Sequence, residues 1–300
     1  MTTQGDLSFV GRTARRQYLV LMALFRIAVN RYLFGIFTRF LARRFDPANA
    51  AILTLPTGGK FKIYLNDGYW TRFALFRREY EPEVGTVIDA AAGHTALFCD
   101  AGANKGYWSV YASTLFQRVI AIEASSDTFR TLTENTRSLA NVHRCWAAVF
   151  SRSNEELSFV NVHNSHASAR LGDTAGTLDR TEVVETVAID DLLTPGQAAL
   201  IKLDVEGAEI AAMDGARRAL RDGSVLIYED HGGDAACAPS AHLLGLGNIR
   251  VYFAENPTIP LHDVASIRAL KTDPYKGYNF IAAHHASPLL TAILEDFANR

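Results

Sequence analysis

The chain has 300 residues, 48% hydrophobic, 10% aromatic and 21% charged, values that exclude general disorder, collagen-like repeats and a coiled coil. Its length suits one large domain, or one domain with an extension. A net charge of −2 argues against a protein that coats nucleic acid, and three scattered cysteines (Cys99, Cys145, Cys237) are too few for a disulfide framework or a zinc cluster, so a reducing, cytoplasmic setting is expected.

Charge is uneven along the chain. Residues 1–45 hold eight arginines and one acid, Asp6, a local +7 that leaves −9 for the remainder. The apolar stretch 18–45 is broken by Arg26, Asn30, Arg31 and Arg39. It never reaches the roughly 20 apolar residues of a spanning helix, and no small-residue cleavage pattern follows the run 18–25. Two short helices around Gly35 are predicted. They could cap a domain with their arginines in water, rest on anionic lipid at the inner membrane face through residues 12–44, or form a lid over a substrate or a second subunit.

Next, two alternating segments, 52–55 and 60–65, flank Pro56-Thr57-Gly58-Gly59 and predict a β-hairpin. Helices are predicted over 71–80 and 83–92. From 96 onward strands and helices alternate. Strands are expected at 96–99, 119–122, 142–150, 157–160, 183–188, 200–203, 225–228, 249–253 and 278–282. Helices are expected at 107–115, 127–139, 208–221 and 241–244. Such alternation predicts an α/β fold, a mostly parallel sheet with helices on both faces. The expected organisation is an extension over 1–80 and a catalytic domain over 81–300.

The first strand of this region runs into Asp100-Ala101-Gly102-Ala103-Asn104-Lys105-Gly106. Small residues permit a sharp turn and close approach to a ligand, the N–H groups at the next helix start favour electron-rich atoms, and ligands of open α/β sheets sit at the carboxyl ends of the strands. The dinucleotide pattern G-x-G-x-x-G is absent. An aspartate in its first position would repel a pyrophosphate but suits a cationic amine. S-adenosylmethionine (SAM) carries an ammonium and a sulfonium and no phosphate. Glu123, 23 residues beyond Asp100, ends the next strand, where a carboxylate can accept both ribose hydroxyls. A turn with no ligand and a nicotinamide dinucleotide site are the competing readings.

A second cluster is Ile201-Lys202-Leu203-Asp204-Val205-Glu206-Gly207-Ala208-Glu209. Acids in a first helical turn interact favourably with the helix dipole, and Glu209 fits that role best. Asp204 falls at the sheet's carboxyl edge, where capping alone does not require it.

The segments DAGANKGYWS (100–109), AIEASSDTFRTLTEN (121–135), VETVAIDDLL (184–193) and IKLDVEGAEIAAMDGA (201–216) resemble the FkbM-like family of SAM-dependent methyltransferases. The resemblance implies a Rossmann-like methyltransferase sheet with one antiparallel strand near its end. It also implies methyl transfer to a hydroxyl of a sugar, lipid-linked glycan or polyketide. By it, Asp100, Gly102, Asn104 and Gly106 line the methionine end of SAM, Glu123 holds the ribose and Ala147 lies near the adenine. Trp146-Ala147-Ala148 offers no acid or amide to the adenine amine, a departure from many methyltransferases.

For an alcohol acceptor the enzyme must align the hydroxyl and remove a proton. Asp204 is the first candidate and Glu206 the second. Glu229, Asp230 and His231 follow the strand 225–228 and are expected to open onto the same edge, where a histidine's ordinary pKa suits a general base. Asp204, Glu229 and Asp230 could together hold Mg²⁺, although no metal is expected. His163 and His166 lack cysteine partners, which argues against zinc. Two other function classes remain open: a nicotinamide-linked oxidoreductase, and a non-catalytic protein that docks a membrane or a partner.

Overall fold

The computed structural model describes residues 6–27, 44–77, 80–161, 169–171, 180–205 and 207–300. The helices expected around Gly35, the pair His163 and His166, and Glu206 lie outside the described residues. The chain divides into two compact units, Met1–Pro82 and Glu83–Arg300. Among the described residues, no helix is long and apolar enough to cross a membrane.

The first unit holds a three-stranded antiparallel sheet in the order β1 (Leu7–Val10), β2 (Ala50–Thr54), β3 (Lys60–Tyr64). The predicted hairpin is present: Leu55 N–H donates to the Gly59 carbonyl at 2.8 Å, and Gly58 turns the chain at φ +90°. Period-two alternation buries Phe61 and Ile63. Helix α1 (Ala14–Ile27) buries Ala14, Gln17 and Leu21 and leaves Arg15, Arg16, Leu19, Val20, Ala23 and Arg26 exposed. The helix predicted over 71–80 starts earlier, as a turn at Gly68–Trp70 capped by Asp67, and continues as a π-helix over Thr71–Phe76.

In the second unit the strands are β4 (Leu97–Ala101), β5 (Arg118–Glu123), β6 (Val142–Trp146), β7 (Ala148–Val149), β8 (Glu156–Asn161), β9 (Ala169–Leu171), β10 (Arg180–Val187), β11 (Leu200–Leu203), β12 (Val225–His231), β13 (Ile249–Phe253) and β14 (Gly277–His284). Seven of them form one sheet in the order β13-β14-β12-β11-β4-β5-β6, and β7-β10-β8-β9 form a second, smaller sheet. In the large sheet β14 runs antiparallel to both its neighbours, and the other pairings are parallel. This is the mostly parallel Rossmann-like sheet the sequence predicts. Its central strands β4 and β11 are buried throughout, as expected where both faces are covered.

The helices are α2 (Pro82–Ala91), α3 (Tyr107–Ala112), α4 (Ser126–Thr136), α5 (Ile189–Leu192), α6 (Glu209–Asp214), α7 (Arg217–Arg221), α8 (Ala238–Gly245), α9 (Val264–Leu270) and α10 (Pro288–Ala298). One sheet face carries Cys99, Ala101, Ile201, Leu203, Tyr228 and Phe280, which pack with Ala212 and Met213 of α6 and Leu243 of α8. The other face carries Asp100 beneath Ser109 of α3.

Three expectations need correction. The strand predicted over 142–150 breaks at Ala147, and its second part, β7, joins the smaller sheet beside β10. The helix predicted over 208–221 is two helices. Gly215 presses against the Phe150 carbonyl at the break, and the Asp190 carboxylate accepts the N–H groups of Arg218 and Ala219 to start α7 afresh. The strand predicted over 225–228 runs on to His231, held by β14.

Candidate active site

Asp100, Gly102, Glu123 and Asp204 come together because β4, β5 and β11 end in step. Ala101 pairs with both Ile122 and Leu203. Asp100 is 1% exposed. Its Oδ2 accepts a hydrogen bond from Ser109 Oγ at 2.6 Å, whereas Oδ1 is buried with no partner. Burial pushes this carboxyl's pKa up, Lys202 and Ser109 pull it down, and Asp204 raises it again. A buried carboxylate oxygen without a donor is costly and points to a missing cationic or hydrogen-bonding ligand.

The loop after β4 is shaped by left-handed residues. Gly102, at φ +80°, lies so close to the Asp204 carbonyl that any side chain would overlap it. Its N–H and that of Ala103 both donate to the Ile122 carbonyl, at 3.0 and 2.8 Å, and Asp204 N–H donates to the Ala101 carbonyl at 2.9 Å. Asn104, at φ +50°, gives its N–H to Glu123 Oε2 at 2.9 Å, and Ser125 N–H donates to Oε1 at 2.8 Å. Burial pushes the Glu123 carboxyl up to about 7 against the pull of these N–H groups.

At φ +88° Gly106 begins α3, and its open side faces Leu132 of α4 at close range, so the absence of a side chain permits the two helices to pack. Helix α3 has only six residues, and Tyr107 and Trp108 at its start are buried. Ala147 is buried, with its N–H donating to the Glu123 carbonyl at 3.2 Å, so only its backbone is tied to the crevice. The neighbouring Trp146 is half exposed and donates Nε1–H to the Ala124 carbonyl at 2.9 Å.

Asp204 emerges at the carboxyl edge with its side chain 31% exposed, and Lys202 Nζ holds its Oδ2 at 2.9 Å. The three residues expected beyond β12 part company. Glu229 lies against Gly277 of β14. Asp230 is fully buried, salt-bridged to Lys271 and accepting from Ser240 Oγ at 2.6 Å, so it does not open onto the edge. His231 is exposed at the far end of β12, and its Nδ1 accepts from Gly233 N–H at 3.1 Å. Among the described residues no three His, Cys, Asp or Glu side chains gather where they could hold a metal ion. Asp204, Glu229 and Asp230, the trio that could have held Mg²⁺, are therefore not gathered in one place.

Two contributors escape a motif-based reading, Ser109 and Lys202. Lys202 carries a signal of its own. It is a charged residue inside an apolar strand, two positions before Asp204 and hence on the same face.

Residues 100–250 match the family described as the Methyltransferase FkbM domain. The hexuronic acid methyltransferase AglP of Haloferax volcanii is 28% identical over 156 residues, covering 51% of this chain and 63% of its own length. The methyltransferase FkbM of Methylobacillus flagellatus is 17% identical, with a TM-score of 0.39 over 62% of this chain and 43% of that one. TYW2 of M. jannaschii, solved with AdoMet, is 13% identical, with a TM-score of 0.42 over 78% of this chain and 84% of that one. The family match spans half of the sequence and runs from Asp100 through Glu123 and Asp204: this chain belongs to the FkbM methyltransferase family.

Proposed function

We propose that this protein transfers the methyl group of SAM to a hydroxyl of a glycan, glycolipid or related metabolite. The observation that carries the reading is the Asp100 carboxylate, buried and half satisfied beside the carboxylates of Glu123 and Asp204. An acid-rich crevice fits a donor bearing an ammonium and a sulfonium, and disfavours the pyrophosphate of a nicotinamide dinucleotide. When bound, the sulfonium supplies an already activated methyl group. Asp100 is the counter-ion for the amine, with the Gly102–Asn104 backbone lining that end. Glu123 accepts the ribose hydroxyls, and the backbone at Ala147 packs near the adenine. Asp204 aligns the acceptor hydroxyl. Its carboxylate takes the proton as the new oxygen–carbon bond forms and the carbon–sulfur pair stays on sulfur as a neutral thioether. Glu206 is the second candidate for that proton and His231 the third.

A sugar acceptor draws support from the hexuronic acid methyltransferase of Haloferax volcanii. Contact with a lipid surface draws support from α1, whose outward face interleaves Arg15, Arg16 and Arg26 with Leu19 and Val20 and carries no acid. On this reading the protein works on the cytoplasmic side, in solution or peripherally bound, where lipid-linked acceptors are presented.

Calorimetry with SAM and with S-adenosylhomocysteine tests the first claim. Micromolar binding by the wild type, weakened at least tenfold in Asp100→Ala and Glu123→Ala, is expected, and a wild type blind to both compounds overturns the proposal. Mass spectrometry of glycans from cells with and without the protein should reveal products one CH₂ heavier. Alkali-stable products are methyl ethers, whereas alkali-labile ones would be esters and would move the acceptor atom to a carboxylate. Co-sedimentation with phosphatidylserine vesicles tests the lipid contact. Binding lost in the Arg15→Ala, Arg16→Ala, Arg26→Ala triple variant is expected, and binding that survives in that variant refutes the role of α1.

A further inference from the structure

Lys202 sits in β11 among Leu200, Ile201 and Leu203, all buried, and is itself 4% exposed. A buried ammonium is strongly unfavourable unless it is paired. Its partner Asp204 is partly open to solvent, so the pair lies at the rim of the crevice. The β4–β11 ladder places Lys202 directly opposite Asp100, on the same face of the sheet. Two carboxylates thus flank one ammonium, and the lysine's charge already favours the ionised form of Asp100.

We infer that Lys202 is a positioning residue of the transfer site: it clamps the Asp204 carboxylate at the crevice mouth and acts as the resident counter-ion of Asp100 until a cationic ligand arrives. The inference rests on the reading of the crevice as a SAM site. Without Lys202 the two acids face each other with no cation between them, and one must hold a proton. Asp100 is buried and feels Lys202 and Asp204 from the β11 side and Ser109 from α3, whereas Asp204, which is felt by Glu123, is partly open to water. With the lysine gone, a proton therefore settles on Asp100, and a cationic ligand must displace it in order to bind.

The test is calorimetry of full-length protein with SAM at pH 7, in two buffers of different ionisation enthalpy, which counts the protons released on binding. Lys202→Met is expected to bind SAM at least tenfold more weakly and to release up to one more proton per SAM bound than the wild type. Lys202→Arg keeps the charge and should restore both values to within threefold and to the wild-type proton count. In a double-mutant cycle with Asp204→Asn, the two losses should be less than additive, because Lys202 acts partly through that carboxylate. A folded Lys202→Met protein with wild-type affinity and proton count overturns the inference and leaves the SAM reading intact. A wild type that does not bind SAM overturns both. If Lys202→Met does not fold, Lys202→Arg decides: a folded arginine variant with weakened binding or extra proton release overturns the counter-ion role.

Discussion

Two lysine–aspartate pairs lie at the neighbouring strands β11 and β12, and they differ in their access to water. In Lys271–Asp230 both side chains are shut off from water, at 1% and 0% exposure. Every donor has a partner there: Lys271 Nζ reaches Asp230 Oδ1, the His231 carbonyl at 2.9 Å and the Asp234 carbonyl at 2.6 Å, and Ser240 satisfies the remaining carboxylate oxygen. In Lys202–Asp204 the lysine is buried while the aspartate is 31% exposed, and the adjacent Asp100 has an oxygen left over. The first arrangement is complete and can only hold the fold together. In the second, Asp100 Oδ1 is left without a donor, the feature on which the proposed SAM site rests.

The largest expected effect comes from breaking the complete pair. Asp230→Ala leaves a buried ammonium uncompensated and should cost about 3–5 kcal/mol of stability in urea unfolding. Lys202→Met should cost less, because its aspartate partner can turn to water. Equal losses in the two variants would erase the distinction between the pairs.

Next in size is Gly102→Ala. The left-handed backbone alone costs about 1–2 kcal/mol for a residue with a side chain, and the new methyl must also push the Asp204 carbonyl aside. SAM affinity should fall more than tenfold. Gly58→Ala makes the control: its φ of +90° is similar, yet nothing stands within 4 Å of the added carbon. Only the backbone penalty should appear there, measured as a shift in melting temperature with SAM affinity unchanged.

A smaller effect concerns pH. Glu123 titrates near 7 in the folded protein against an ordinary value of 4.5, because burial opposes its charge. Between those two values the folded state holds a proton that the unfolded chain has released. Stability from this group is therefore full below 4.5 and is lost as pH rises through 7. Glu123→Gln should flatten that part of the profile, so the wild type should lose more melting temperature between pH 5 and 8 than the variant. Parallel profiles would show that Glu123 stays ionised throughout, held by the N–H groups of Asn104 and Ser125.

Much of this arrangement is legible in the residues themselves. Strand β11 is predicted over 200–203 and found there, because an apolar run followed by acids has one reading at a sheet edge. The carboxyl-edge placement of Asp100, Glu123 and Asp204 follows from the same alternation. What periodicity misses is set by distant contacts. Ala147 divides a continuous apolar run because β7 has a partner, β10, that is nearly 40 residues away in sequence. The break at Gly215 depends on Asp190, from a different part of the chain. His231 and Asp230 read as loop residues because the strand that extends β12 past the edge, β14, comes 46 residues later. Helices α9 and α10 open on caps, Asp263 and Ser287, that a search for apolar periodicity passes over.

The smallest expected effect separates two acids that stand five residues apart. The Glu209 carboxylate turns back on its own helix start and accepts Gly207 N–H through both oxygens, at 2.8 and 3.0 Å. Ala208, at the cap position of α6, provides no side-chain acceptor, so Glu209 does that work from the first turn. Its interaction is local and exposed, and Glu209→Ala should cost about 0.5–1 kcal/mol while SAM affinity stays at the wild-type value. Asp204→Asn keeps an oxygen acceptor for the buried Lys202, which still has Asp100 opposite it, so it should cost less stability than Asp230→Ala while impairing transfer chemistry. Loss of SAM affinity in Glu209→Ala would mean that the Gly207 backbone is held in its binding shape by this one carboxylate, and the boundary between fold and site would shift to include it.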